Sequence, residues 1–119
     1  MNMDFHIEFY ETVAGRSPVR EFLLELKASD PDDFAALAAG LAKLRHHQYH
    51  RPPLSKALDH GLCELRHVGK LNARILWFFV RGRRIVAVHG IRNKGQSIAS
   101  RDMAVARERM HDWRERNVM

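Results

Sequence analysis

Ala73-Arg74-Ile75-Leu76-Trp77-Phe78-Phe79-Val80, then Arg81-Gly82-Arg83-Arg84, then Ile85-Val86-Ala87-Val88-His89-Gly90-Ile91 is the stretch that decides the fold. Its first segment is a long apolar run rich in aromatic and β-branched side chains, which favours a strand. The middle segment holds the only glycine between two apolar runs and reads as a turn. The third returns, so 73–80 and 85–91 are expected to form an antiparallel hairpin. Upstream, Leu62-Cys63-Glu64-Leu65-Arg66 reads as a shorter extended segment. Near the start, Phe5, Ile7 and Phe9 alternate with His6, Glu8 and Tyr10, the period of a half-buried strand.

Two helices are expected between these strands. Ser17-Pro18 offers an N-cap followed by proline at the first helical position. Val19, Phe22, Leu23 and Leu26 then recur at helical spacing. Asp30-Pro31 repeats the start signal, and Asp32 and Asp33 suit the positive end of a helix dipole. Phe34, Leu37, Ala38, Leu41 and Leu44 form the second stripe, and the run from His46 to Pro53 ends it. A last helix, 101–116, carries Met103, Ala106, Met110 and Trp113 as its buried stripe. The expected order is β-α-α-β-β-β-α. That is an α+β fold around one antiparallel sheet, with residues 1–119 as a single domain.

Composition narrows the function classes. The 119 residues are 45% hydrophobic and 29% charged, which is globular composition. The longest strongly apolar run, Ile75 to Val80, is far shorter than a membrane span. The N-terminus is acidic and alternating, unlike a signal peptide. The single cysteine, Cys63, cannot form an internal disulfide, and a reducing cytoplasm is the expected location. The net charge of +6 is uneven. Residues 1–64 hold seven basic and ten acidic side chains, whereas residues 65–101 hold nine basic and no acidic ones. An acid-free basic block points to a polyanionic partner, nucleic acid first, against a solvated basic face with no specific partner.

Strand alternation places some of those charges. Leu62, Glu64 and Arg66 share one face, as do Arg74, Leu76 and Phe78. Arg74, at the start of an apolar strand, is either paired with an acid such as Glu64 or aimed at a ligand's anion. Arg66, Lys70, Arg92 and Lys94 flank the strand ends, so several cations are expected to converge at one end of the sheet. His89 falls on the face of Ile85, Ala87 and Ile91, as a core histidine or a proton carrier. His67 is a further histidine with no placed partner. Trp77, Phe78 and Phe79 read as core rather than as a base-stacking platform. His46 and His50 have the i, i+4 spacing of a metal pair, but no cysteine or acid completes a site, and a polar helix end is the better reading.

These segments resemble the RelE/HigB superfamily of bacterial toxins, in its phage-derived HigB-like branch. The resemblance rests on Gly15-Arg16-Ser17-Pro18-Val19-Arg20-Glu21-Phe22-Leu23, Leu62-Cys63-Glu64-Leu65-Arg66, Ala73-Arg74-Ile75-Leu76-Trp77-Phe78-Phe79 and Val88-His89-Gly90-Ile91-Arg92-Asn93-Lys94, with Asp102, Met103 and Ala106 in the last helix. It implies a RelE-like fold and the toxin of a type II toxin–antitoxin pair. Such toxins enter the ribosomal A site and cut mRNA without a metal or other cofactor, and a helix-turn-helix antitoxin holds them inactive. Carried onto this chain, the resemblance implies Arg66, Arg74 and Arg92 as phosphate and transition-state ligands; His89 or His67 is the candidate proton carrier because histidine titrates near neutrality. Lys56, Lys70 and Lys94 are the expected RNA contacts. The chain departs from the pattern in having Ile98, Ala99 and Asp102 where relatives differ, and no tyrosine after Tyr49. A non-catalytic RNA- or partner-binding protein of the same fold is therefore the alternative, and a ParE-like gyrase inhibitor a third.

Overall fold

The structure is a computed structural model, described here for residues 3–66, 73–92 and 97–118. Among these residues the elements are β1 (His6–Phe9), α1 (Pro18–Ser29), α2 (Pro31–Lys43), β2 (Ser55–Ala57), β3 (Leu62–Leu65), β4 (Ala73–Val80), β5 (Arg84–Arg92) and α3 (Ser100–Arg116). The strands form one sheet in the order β1-β5-β4-β3-β2. The α+β class and the β4–β5 hairpin agree with the sequence reading. Gly82 and Arg83 close that hairpin with positive φ, 84° and 58°, the conformation that a tight hairpin turn demands.

Two expectations are corrected. The sheet is mixed rather than antiparallel, because β1 runs parallel to β5, with Ile7 opposite Ile85 and Phe9 opposite Ala87. The helical hairpin α1–α2 sends the chain across one face before the other strands form, so β1 and β5 meet only through a distant pairing. The element order also gains β2, where Ser55, Lys56 and Ala57 pair antiparallel with Leu65, Glu64 and Cys63. Three residues are too few to display alternation.

Helix signals hold with local differences. Asp30 ends α1 and caps α2, accepting a hydrogen bond from Asp33 N at 3.3 Å. Ser17 occupies the N-cap position of α1, yet its hydroxyl makes no capping bond. α2 ends at Lys43, and a 3-10 turn at His47–Tyr49 follows. His46 and His50 therefore lie on either side of that turn, not on one helix face. His50 Nε2 is bound to the Leu44 carbonyl at 2.6 Å, and burial pushes the His50 pKa below its ordinary value.

The sheet separates two apolar layers. Val19, Leu26, Leu37, Leu44, Leu65, Ile75, Trp77, Ile85 and Ala87 pack under the α1–α2 hairpin. Leu62, Leu76, Phe78, Val86, Val88, Ile91, Ala106 and Met110 pack under α3. Trp77 and Phe78 are core, as expected, whereas Phe79 is 43% exposed. No helix among the described residues is long and apolar enough to cross a membrane.

One irregularity resets which residues face α3. Leu76 pairs with His89, but the next residue, Trp77, pairs with Ala87, leaving Val88 as an extra residue. Such a β-bulge shifts the alternation beyond it by one. Ile85 and Ala87 thus face the helical hairpin while Ile91 faces α3. His89 does not share the Ile85 and Ala87 face expected from alternation; it meets α3.

Candidate functional site

The α3 face of β2 and β3 is where charge is concentrated against apolar surface. Lys56, Glu64, Leu76 and His89 form one cross-strand row through β2, β3, β4 and β5. Glu64 is only 2% exposed. Arg74 Nε lies 3.1 Å from its Oε1, and Arg66 Nε lies 3.7 Å from the same atom. Arg74 is itself 7% exposed, so the two open possibilities for it resolve toward the Glu64 partner. A buried carboxylate is tolerated where cations neutralise it. Arg66 follows β3 directly and is anchored by its backbone N–H to the Leu54 carbonyl at 2.7 Å. Its side chain is 36% exposed, so it can reach solvent while remaining within the field of Glu64.

Next to this group lies a cleft of about 370 Å³ between β2, β3 and the start of α3. Leu58, Ile98 and Met103 supply its apolar wall, and Lys56, Asp59 and Glu64 its charge. The structure therefore brings Lys56, Arg66 and Arg74 around Glu64. It does not bring Arg92 to them. Beyond the bulge Ile91 faces α3, so Arg92 turns to the opposite side and donates from Nη1 to Ser29 Oγ at 2.8 Å, at the end of α1. Lys70, Lys94 and His67 lie outside the described residues. The rest of the basic block is dispersed: Arg84, beside the hairpin turn, is bound to Glu8 at 2.5 and 3.0 Å.

His89 sits in a chain of its own. Its Nε2 is 2.8 Å from Asp102 Oδ1, and its Nδ1 is 3.0 Å from Arg109 Nη1. Arginine can only donate, so Nδ1 accepts and Nε2 carries the proton given to Asp102. Arg109 also donates to the Val88 carbonyl at 2.8 Å, tying α3 to the bulge itself. Burial pushes the Arg109 pKa below its ordinary value. With both ring nitrogens engaged, His89 can exchange a proton with a substrate only by releasing one of these partners. Asp102 and Arg109 were not singled out as a pair from sequence. The signal was present, since both interrupt the 103, 106, 110, 113 stripe of α3 with charge.

Cys63 shares β3 with Glu64 but takes no part. Burial pushes its thiol up to about 11, so the nucleophilic thiolate is scarce at neutral pH. The native protein is expected to resist iodoacetamide at pH 8 and to be labelled fully once unfolded. Mass spectrometry of protein alkylated with and without urea reads this; rapid native labelling would contradict the assignment.

A family model, phage-derived protein Gp49-like (DUF891), matches residues 21–111. Among curated proteins no sequence matches the chain. The matched span runs from α1 through the cleft and the His89 chain to α3, which includes Arg66, Arg74, Arg92 and Asp102. The chain belongs to the Gp49-like family of phage-derived proteins.

Proposed function

We propose that this protein is the toxin of a type II toxin–antitoxin pair and that it cleaves mRNA on the ribosome. The observation that carries the reading is Arg66, a solvent-reaching guanidinium beside the buried Glu64, at the start of a segment rich in cations and free of acids. Membership of a phage-derived Gp49-like family agrees with it at a coarse level.

RNA can be cut by its own 2′-hydroxyl attacking the adjacent phosphorus. The oxygens on phosphorus then gain negative charge, which a planar guanidinium grips with two N–H groups. Arg66 takes this role. Glu64, itself neutralised by Arg74, draws it from below, and Lys56 lies on the path of the strand. Lys70 and Lys94, on the same acid-free segment, are proposed to contact flanking phosphates, whereas Arg92 is held on the other side of the sheet by Ser29. The partner that restrains the toxin is a helix-turn-helix antitoxin.

Induced expression in a bacterial host should arrest growth and create new mRNA 5′ ends only where ribosomes engage the message. Arg66→Ala is expected to relieve arrest by at least about a hundredfold in surviving colonies, the loss typical of removing one transition-state donor. Circular dichroism should show the variant folded. Arrest without new 5′ ends would select the non-catalytic binder instead. That second reading is favoured by one observation: both nitrogens of His89 are already engaged.

A further inference from the structure

The two edges of the sheet are not alike. β2, at one edge, follows Pro52-Pro53 and carries the exposed Lys56. Proline and lysine are usual protections of an edge against further pairing. β1, at the other edge, has neither, and its register with β5 is unbroken.

The direction of its free groups follows from the ladder. His6 N–H donates to the Arg83 carbonyl at 2.7 Å and Tyr10 N–H to the Ala87 carbonyl at 2.9 Å, so residues of that parity face β5. Ile7 and Phe9 therefore turn both N–H and C=O outward, away from the sheet. Their side chains face the helical hairpin but are only half-buried. Beside them lies a cleft of about 840 Å³, walled by Leu24, Leu41 and Ala42. Leu24 is 61% exposed there. An open ladder next to an apolar trough suits an added strand, held main chain to main chain with alternate side chains seated in the trough.

Charge narrows the occupant. Arg16 is engaged by Glu21 and Arg45 by Asp4, and the remaining lining charges, Arg20 and Glu11, are opposite in sign. The trough thus has no net field to draw an acidic or a basic segment. On the other face of β1 stands Glu8, and an acid opposite it on an added strand would be repelled. A second copy of this chain fits poorly for that reason. The two-fold pairing that engages both outward residues of each copy, Ile7 with Phe9, sets Glu8 against its own counterpart. We propose that β1 docks an extended, uncharged segment of another protein, with β-branched apolar side chains toward Leu24 and Leu41 and hydroxyl side chains opposite Glu8. This surface lies at the far edge of the sheet from β2 and does not depend on RNA cleavage.

The probe is a synthetic peptide, Thr-Val-Thr-Val-Thr-Val-Thr, blocked at both ends and kept soluble by a neutral Glu-Lys-Glu-Lys tail. In the free chain the Ile7 and Phe9 amides are expected to exchange rapidly with heavy water and the His6 and Tyr10 amides slowly. Bound peptide should slow the first two at least about tenfold, with an affinity that salt changes little. Alternate residues of a strand turn their N–H groups to the same side. Methylating the backbone nitrogens of either the valines or the threonines should therefore abolish binding in one case and be tolerated in the other. Leu24→Asp changes an exposed side chain, so circular dichroism should show it folded, while its affinity for the peptide falls at least about tenfold. Unchanged exchange at Ile7 and Phe9 in millimolar peptide overturns the proposal, as does binding that survives both methylation patterns. Tighter binding of a peptide with lysine or glutamate in place of valine would make the site electrostatic and also overturns it. So does a concentration-dependent dimer, seen by analytical ultracentrifugation, in which the same two amides are protected without peptide.

Discussion

Replacing Glu64 by Ala is expected to lower the free energy of unfolding by about 3–5 kcal/mol, the usual loss when one partner of a buried ion pair is removed. Glu64 and Arg74 are respectively 2% and 7% exposed, so neither has water to fall back on. Without the carboxylate, Arg74 remains a buried cation beside Leu76 and Ile75, and Arg66 loses its nearest anion. The size of the loss reports the stranded charge rather than the worth of the pair. Glu64→Leu combined with Arg74→Met should therefore recover most of the stability, because two apolar side chains of similar volume need no neutralisation. Salt should change the Glu64→Ala effect little, since buried charges are poorly screened. Urea denaturation of the single and double variants measures each quantity. A loss below about 1 kcal/mol, the range of a surface pair, would mean that Arg74 is solvated on its own.

The same pair shows what the sequence could and could not convey. The run 73–80 is aromatic and apolar enough to declare a strand, and Arg74 at its head is conspicuous there. Alternation put Glu64 and Arg66 on one face, and their 3.7 Å contact follows from it, while the 3.1 Å contact to Arg74 needs the pairing of β3 with β4 as well. The helices were equally legible, because Pro18 and Pro31 mark starts that depend on nothing distant. What was hidden is what depends on partners far along the chain. β1 gives no sign in its own residues that it will run parallel to β5. β2 spans three residues, and its strand character comes from pairing with β3. The bulge at Val88 is the most consequential case. A single inserted residue exchanges the faces of everything after it. It carries Arg92 away from Arg66 and Arg74, and it delivers His89 to Asp102 and Arg109.

Just past that bulge, Gly90 is a position in β5 with no room for a side chain. Gly90 faces the helical hairpin, and a Cβ built on it would lie 2.3 Å from Phe22 Cδ2 and Cγ and 2.8 Å from Cδ1. Carbon atoms pack at about 3.5–4.0 Å, so the ring or the strand must move. The clash reaches Cγ, close to the α1 backbone, where a rotation of the ring gives little relief. Gly90→Ala is expected to cost about 3 kcal/mol, the upper part of the range for overpacked sites. In other surroundings the same change would stabilise by about 0.4–1 kcal/mol through the unfolded chain, so the sign of the effect identifies the clash. Phe22→Ala removes the obstructing ring. In that background Gly90→Ala should be neutral or mildly stabilising, giving a coupling of roughly 3 kcal/mol in a double-mutant cycle. A Gly90→Ala variant that stays equally destabilised without the ring would place its cost in the strand backbone instead. Because Gly90 adjoins His89, a shift of β5 must also strain the 2.8 Å contact to Asp102. The His89 ring resonances should therefore move in Gly90→Ala and return in the double variant, linking a packing contact under α1 to the histidine under α3.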